Sequence, residues 1–252
     1  MVLLLPHGYD GAGPEHSNCR IERFLQNTVS NGIDRFYKGD LPDNRSINYG
    51  VCNLTTPSNY FHILRRQMLR RYRKPLVIAT PKVGLRHPFF TSKLDYFDES
   101  NIDSNFKPIL VNKFYKDKNS LRNVIFCTGQ IIIELMRLIK ANGKKMDDFS
   151  LVIIRIEEIA PFPEDLILNE LHEINKNTKF YWLQEEGMNA GAYTYAEPHL
   201  SRIANKTNLN DITINYIGRN AEVAANGSLE IYKKENESIS QSIMNLLNNY
   251  NV

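Results

Sequence analysis

Six short apolar runs, separated by stretches of helical periodicity, leave this chain few ways to fold. Residues 2–5, 76–79, 123–127, 151–156, 180–183 and 212–217 are rich in Val, Ile, Leu and aromatic side chains, with a weaker run at 49–54. Runs this short, without polar alternation, read as strands buried on both faces. Between them the spacing predicts helices at 14–26, 58–71, 130–142, 163–175 and 229–247. Proline opens the first and fourth of these, and Gly143 closes the third, as the different demands of the two helix ends require. Strands alternating with helices predict an α/β fold around a mainly parallel sheet.

Between His87 and Leu121 the periodicity fades into Asp, Asn, Ser and Lys, so residues 91–121 are expected to form a linker with one short strand at 108–111. Residues 122–252 then read as a small α/β domain with helices on both faces. Residues 1–90 read as the second half of another, because two or three strands do not make a sheet covered on both faces.

The 252 residues are 42% hydrophobic, enough to build a core. No apolar run approaches the roughly 18 residues of a membrane-spanning helix, so no membrane is expected as a partner. Cysteines at 19, 52 and 127 are too few and too far apart for a disulfide framework or a paired-cysteine zinc site, and a reducing compartment is expected. Residues 1–90 hold 13 Lys and Arg against 6 Asp and Glu, whereas 91–252 hold 18 against 22. The basic first third suits an anionic ligand or partner.

Chemistry concentrates in Pro6-His7-Gly8-Tyr9-Asp10-Gly11-Ala12-Gly13-Pro14-Glu15-His16-Ser17, which joins a strand to a helix through three glycines. Glycine lets backbone approach a ligand closely, and a helix N-terminus offers unpaired N–H groups to an anion. His16 is expected in the first helical turn, where the dipole disfavours imidazolium and a neutral ring can donate to a carboxylate or carbonyl. The alternative is a histidine that caps its own loop. The glycine spacing is neither the dinucleotide nor the P-loop fingerprint. No metal-ligand spacing occurs. Asp147-Asp148, Glu157-Glu158 and Glu185-Glu186 are adjacent pairs whose side chains diverge, so spacing gives no support to two-carboxylate catalysis.

These residues carry a resemblance. Leu4–Ser17 in full, followed by Arg20-Ile21-Glu22-Arg23-Phe24-Leu25-Gln26, is similar to the thiamine-diphosphate-dependent 2-oxoglutarate dehydrogenase family, the decarboxylating first component of that complex. Asn59-Tyr60-Phe61-His62-Ile63-Leu64-Arg65-Arg66-Gln67, Thr80-Pro81-Lys82, Phe126-Cys127-Thr128-Gly129, Arg155-Ile156-Glu157, Trp182-Leu183-Gln184-Glu185-Glu186 and Gly218-Arg219 continue it in the family's order. The resemblance implies half of a pyrimidine-binding, transketolase-like domain over 1–90 and a transketolase-C-terminal-like domain over 122–252. It implies oxidative decarboxylation of 2-oxoglutarate in the tricarboxylic acid cycle, with succinyl transfer to a lipoyl group. His16 matches the family's active-site histidine, in a substrate loop with Gly11, Gly13, Glu15 and Ser17. Thiamine diphosphate and magnesium are the implied cofactors.

Relatives are several times longer, so the chain resembles about their last quarter, and the domain holding cofactor and magnesium is expected upstream. The implied partners are that missing N-terminal portion, the dihydrolipoyl succinyltransferase component and a second copy in a homodimer. The implied location is the mitochondrial matrix in a eukaryote and the cytoplasm otherwise. The fragment alone is expected to be inactive. Local departures stand at Gln130, where the family has Lys, at Ala190 and at Asn226.

Arg65, Arg66, Arg70, Arg71, Arg73 and Lys74 put six cations into ten residues. They are read as a solvated helix face, with an effector or anion site using Arg66 and Arg155 as the functional alternative. Nucleic acid is not an expected partner, because Met68, Leu69 and Tyr72 suit packing more than base stacking. A non-catalytic dimerisation or assembly module is the second reading of the whole chain.

Overall fold

Nine strands among the described residues divide between two sheets whose carboxyl ends face one another. The computed structural model describes residues 1–9, 18–28, 47–98, 100–101, 104–172, 174–206, 213–221 and 229–248. In chain order the elements are β1 (Val2–Pro6), α1 (Ile21–Gln26), β2 (Gly50–Asn53), α2 (Pro57–Leu69), β3 (Leu76–Thr80), β4 (Ile109–Phe114), β5 (Asn123–Cys127), α3 (Ile131–Ala141), β6 (Leu151–Ile156), β7 (Glu158–Ala160), α4 (Glu164–Leu171), β8 (Lys179–Gly187), α5 (Tyr193–Lys206), β9 (Ile214–Arg219) and α6 (Leu229–Asn248).

The first sheet has the order β1-β3-β2-β7 and the second β4-β6-β5-β8-β9. Parallel pairing dominates both, with one antiparallel strand at an edge of each: β7 on β2 and β4 on β6. Every residue of β2 and β5 is buried, as continuous apolar runs in parallel sheets require. The fold class is α/β, as the sequence pattern predicts.

Helix positions follow from local chemistry. α2 starts where Thr56 accepts the Asn59 N–H and Pro57 fills the first turn. Beyond α3, Gly143 takes the left-handed conformation at φ 78° that suits a residue just past a helix. α3 and α6 cover one face of the second sheet through Ile132, Leu135, Ile139, Ile239 and Ile243. α2 covers the first sheet through Ile63 against Cys52 and Ile78. Val51, Val77 and Ala79 of the first sheet share a single cluster with Phe126, Ile154 and Trp182 of the second and with Ile21 and Leu25 of α1. Trp182, expected in the core or at an interface, is fully buried in that shared core.

Several expectations need correction. The helix expected over 14–26 runs only over Ile21–Gln26 among the described residues. Asn18, Cys19 and Arg20 are not helical, and Arg20 sits at φ 56°. The first part of that expected helix, residues 14–17 with His16, lies outside the described residues. The stretch 91–121 carries a full edge strand, β4, rather than only a short one at 108–111. β7 and α5 were not expected at all. β7 is three residues long, and α5 contains Pro198, which disguises it.

Candidate functional site

The seam between the sheets is built from strand ends. β1 runs into His7-Gly8-Tyr9, β2 ends at Asn53, β3 at Thr80, β5 runs into Thr128-Gly129-Gln130, and β8 ends in Gln184-Glu185-Glu186-Gly187. In open α/β sheets, ligands are bound at the carboxyl ends of the strands, and here two sheets bring theirs together.

The contacts are polar and buried. His7 donates from Nε2 to Glu186 Oε1 at 2.7 Å, and its Nδ1 accepts the Cys19 N–H at 3.4 Å. The Tyr9 N–H donates to Glu185 Oε2 at 3.1 Å, and Gln130 Nε2 donates to the same oxygen at 2.8 Å. Asn18 Nδ2 donates to the Tyr9 hydroxyl at 2.9 Å. Successive side chains of β8 thus reach alternate residues of the tripeptide at the end of β1. Arg219 at the end of β9 lies over the Tyr9 ring at 4.8 Å, donates to the Glu185 carbonyl and pairs with Glu235 at 3.0 Å. Gln184 braces the turn beyond β8, donating to the carbonyls of Gly187 and Ala190 and accepting from Trp182 Nε1.

Burial sets the electrostatics. Burial, then the adjacent Glu186 charge, pushes the Glu185 carboxyl above the usual carboxylate range. Burial also disfavours the His7 imidazolium, but the Cys19 side chain and the Glu186 carboxylate outweigh it and hold the ring well above its usual value. Two buried carboxylates and an imidazole thus lie side by side at the seam. A cavity of about 720 Å³ opens beside them, lined by Gln130, Glu185, Glu134, Arg137 and Tyr232 among others.

Gly11, Gly13, Glu15, His16 and Ser17 lie outside the described residues. The two arginines of the expected anion site part company. Arg66 is held by Glu158 through both of its terminal nitrogens. Arg155 donates to Thr55 Oγ1 at 2.9 Å and lines a separate cavity of about 310 Å³ with His62, Lys93 and Lys107. The pairs at 157–158 and 185–186 diverge as expected, but all four carboxylates are buried and engaged. Glu157 accepts from the Thr55 N–H, Thr55 Oγ1 and Asn59 Nδ2. Sequence reasoning set these glutamates aside, together with His7. Their signal was position: each pair follows an apolar run, where a parallel strand delivers its carboxyl end.

A magnesium–diphosphate group finds no built site here. Among the described residues no three His, Cys, Asp or Glu side chains gather as metal ligands. The buried atoms without hydrogen-bond partners at the seam, Asn53 Oδ1, Thr80 Oγ1, Gln130 Oε1 and Glu186 Oε2, are oxygens that offer an anion no positive charge. The Arg219 guanidinium is taken up by Glu235, Asn236 and the Glu185 carbonyl. The described residues do not fit that cofactor on their own.

Residues 1–88 match the family described as transketolase, pyrimidine binding domain, and residues 91–244 the family described as 2-oxoglutarate dehydrogenase C-terminal. The probable 2-oxoadipate dehydrogenase complex component E1 homolog of Dictyostelium discoideum is 42% identical over 98% of this chain and 26% of its own length. The 2-oxoadipate dehydrogenase complex component E1 of Mus musculus is 41% identical over 80% of this chain and 20% of its own length. The 2-oxoglutarate dehydrogenase E1 component of Rickettsia typhi is 37% identical over 95% of this chain and 23% of its own length. The chain spans about a quarter of the length of the curated relatives it matches.

Proposed function

The chain belongs to the 2-oxoglutarate dehydrogenase C-terminal family, and from that premise we propose that it is the C-terminal part of the E1 component of a 2-oxo acid dehydrogenase complex, acting on 2-oxoglutarate. The observation that carries the reading is the order of the two matched segments, first pyrimidine-binding and then C-terminal, with their strand ends meeting at one buried polar seam. Thiamine diphosphate with magnesium, supplying the carbanion chemistry when bound, is assigned to the rest of the enzyme. The acyl group passes to the lipoyl arm of the acyltransferase component, and the enzyme works as a homodimer in the mitochondrial matrix or, in a bacterium, the cytoplasm. His16 is the residue that hydrogen-bonds the substrate. Arg155, with Lys93 and Lys107 beside it, is the place for an anionic effector, without Arg66.

A second reading, 2-oxoadipate as substrate, is favoured by the name and the 42% identity of the Dictyostelium relative. Decarboxylation measured with both acids decides between them, on this chain alone and on the complete enzyme that contains it. The complete enzyme is expected to prefer 2-oxoglutarate, and the chain alone to be silent and to bind no thiamine diphosphate. A higher kcat/KM for 2-oxoadipate moves the assignment to the second acid. Turnover of neither leaves a non-catalytic assembly module.

A further inference from the structure

One end of the seam carries the strand ends of β1 and β8; the other carries those of β2 and β6 and holds the cavity of about 310 Å³. Its charged lining is all of one sign. Arg155 at the end of β6, Lys107 ahead of β4 and Lys93 between β3 and β4 line it, and no described Asp or Glu does. Glu157 stands behind Thr55, where its oxygens accept from the Thr55 N–H, Thr55 Oγ1 and Asn59 Nδ2 rather than from the guanidinium. Arg155 donates to Thr55 Oγ1 at 2.9 Å, and among the described residues its Nε–H has no acceptor. The start of α2 supplies hydroxyls. The side-chain oxygens of Thr56, Ser58 and Ser92 form a chain with spacings of 3.5 and 3.1 Å. Three hydroxyls joined by two links leave one hydrogen over for a ligand. Asn59 exchanges two hydrogen bonds of 2.9 Å with the Lys107 backbone, which ties that lysine's segment to α2.

We propose that this pocket binds the phosphate group of a small phosphate monoester, held between the two family-matched segments. A carboxylate offers two oxygens in one plane, which a single guanidinium fork satisfies. Cations from three segments and a hydroxyl chain suit instead a tetrahedral group with oxygens on every side and close to two negative charges. A cavity of this size has the room of about ten waters, more than a bare phosphate fills. Leu110 and the Tyr96 ring line the space left for an organic remainder. Thr56 and Ser58 belong to the segment 1–88, and Lys93 and Arg155 to 91–244, so the ligand bridges them. As a regulatory site the pocket rests on the function proposed above; as a phosphate site it does not.

Calorimetry on this chain at low salt decides the site, with glycerol 3-phosphate, inorganic phosphate and succinate, a dicarboxylate of similar charge, as probes. One glycerol 3-phosphate per chain is expected, with inorganic phosphate weaker and succinate weaker by about tenfold or more. Arg155→Gln should weaken the monoester about tenfold or more, and Lys93→Ala about threefold to tenfold. Arg122→Ala, at the opposite end of β5, should bind as the wild type does. Absence of monoester binding, succinate bound as tightly, or an affinity unmoved by Lys93→Ala and Arg155→Gln overturns the site. Lys93 is exposed, so Lys93→Ala carries the test should Arg155→Gln fail to fold. In the complete enzyme, glycerol 3-phosphate should change the KM for the 2-oxo acid about fivefold or more, and Lys93→Ala should weaken that response. A bound monoester without a response overturns the regulatory role alone. An enzyme inactive with every 2-oxo acid sinks the functional reading instead, and calorimetry still decides the site.

Discussion

Gly8 faces the Gln130 amide so closely that a Cβ on it would stand 2.5 Å from Gln130 Nε2. The approach joins the end of β1 to the loop after β5, and Gln130 spends its amide on Glu185 there. Gly8→Ala is expected to cost about 1–3 kcal/mol, because the added methyl must push that amide off its acceptor. Gly8→Ala in a Gln130→Ala background should cost markedly less. Urea midpoints of the two singles and the double give the coupling directly.

Gln130 also controls the charge beside it. Its amide is neutral, and Glu185 stays above the usual carboxylate range. Gln130→Lys would set an ammonium against that carboxylate and pull its pKa down. A raised carboxyl contributes stability that is present below its unfolded value and lost as pH rises through its folded value. The variant should therefore lose less stability than the wild type between pH 5 and 7, read from thermal midpoints across that range.

Arg66 answers a different burial problem. Glu158 on β7 is 1% exposed and the Arg66 fork covers it. Arg66→Ala would remove a two-pronged charge-assisted contact from a buried carboxylate that Arg70 also faces, at a cost of about 3–5 kcal/mol. Arg66→Met with Glu158→Gln should recover much of that loss. Equal urea midpoints for Arg66→Ala and the wild type would show that solvent already screens the pair.

At acid pH the weak point is the contact between α4 and α5. Burial opposes ionisation of Glu164, but the His199 and Arg202 partners outweigh it and hold the carboxyl below its usual range. The sign is that of a depressed acid: its stabilisation is present above the unfolded value and disappears as pH falls through the folded one. Acid unfolding of Glu164→Gln should begin from a lower plateau and show a shallower slope below pH 4.5 than the wild type, followed by circular dichroism.

Thiol chemistry gives a test that needs no activity. Burial pushes the Cys127 thiol up to about 12 and raises Cys52 well above its usual value, whereas Cys19 is only half-buried. One thiol should label in the native chain at pH 8 and three in denaturant. Rapid labelling of Cys127 in the native state would contradict the packing of β5.

Much of this architecture is legible in the amino-acid order, and the gaps have physical reasons. The strands at 76–79, 123–127 and 151–156 are visible because parallel strands buried on both faces cannot hide their apolar content. β7 is invisible because three residues, Glu158-Ile159-Ala160, are too few to show a period, and they pair only where β2 offers an edge. α5 is masked by Pro198, which sits in its first two turns. The glycine loop marks the right end of β1, but pattern alone ranked His16 above His7, and the burial that engages His7, Glu185 and Glu186 comes from residues about 180 positions away. Paired glutamates after an apolar strand carry no spacing signature, so only the meeting of the two sheets reveals them.

The antiparallel pairing of β7 with β2 also sets a schedule for making the protein. The first sheet takes its last strand from Glu158–Ala160, eighty residues after Thr80 completes β3. A ribosome adding roughly 5–20 residues per second needs about 4–16 s to cover that interval. Throughout it β2 presents an unpaired edge in a half-built sheet, the kind of surface that chaperones and neighbouring nascent chains recognise. Residues 1–90 made by themselves would never leave that state, and their yield should depend on whether 158–160 are supplied.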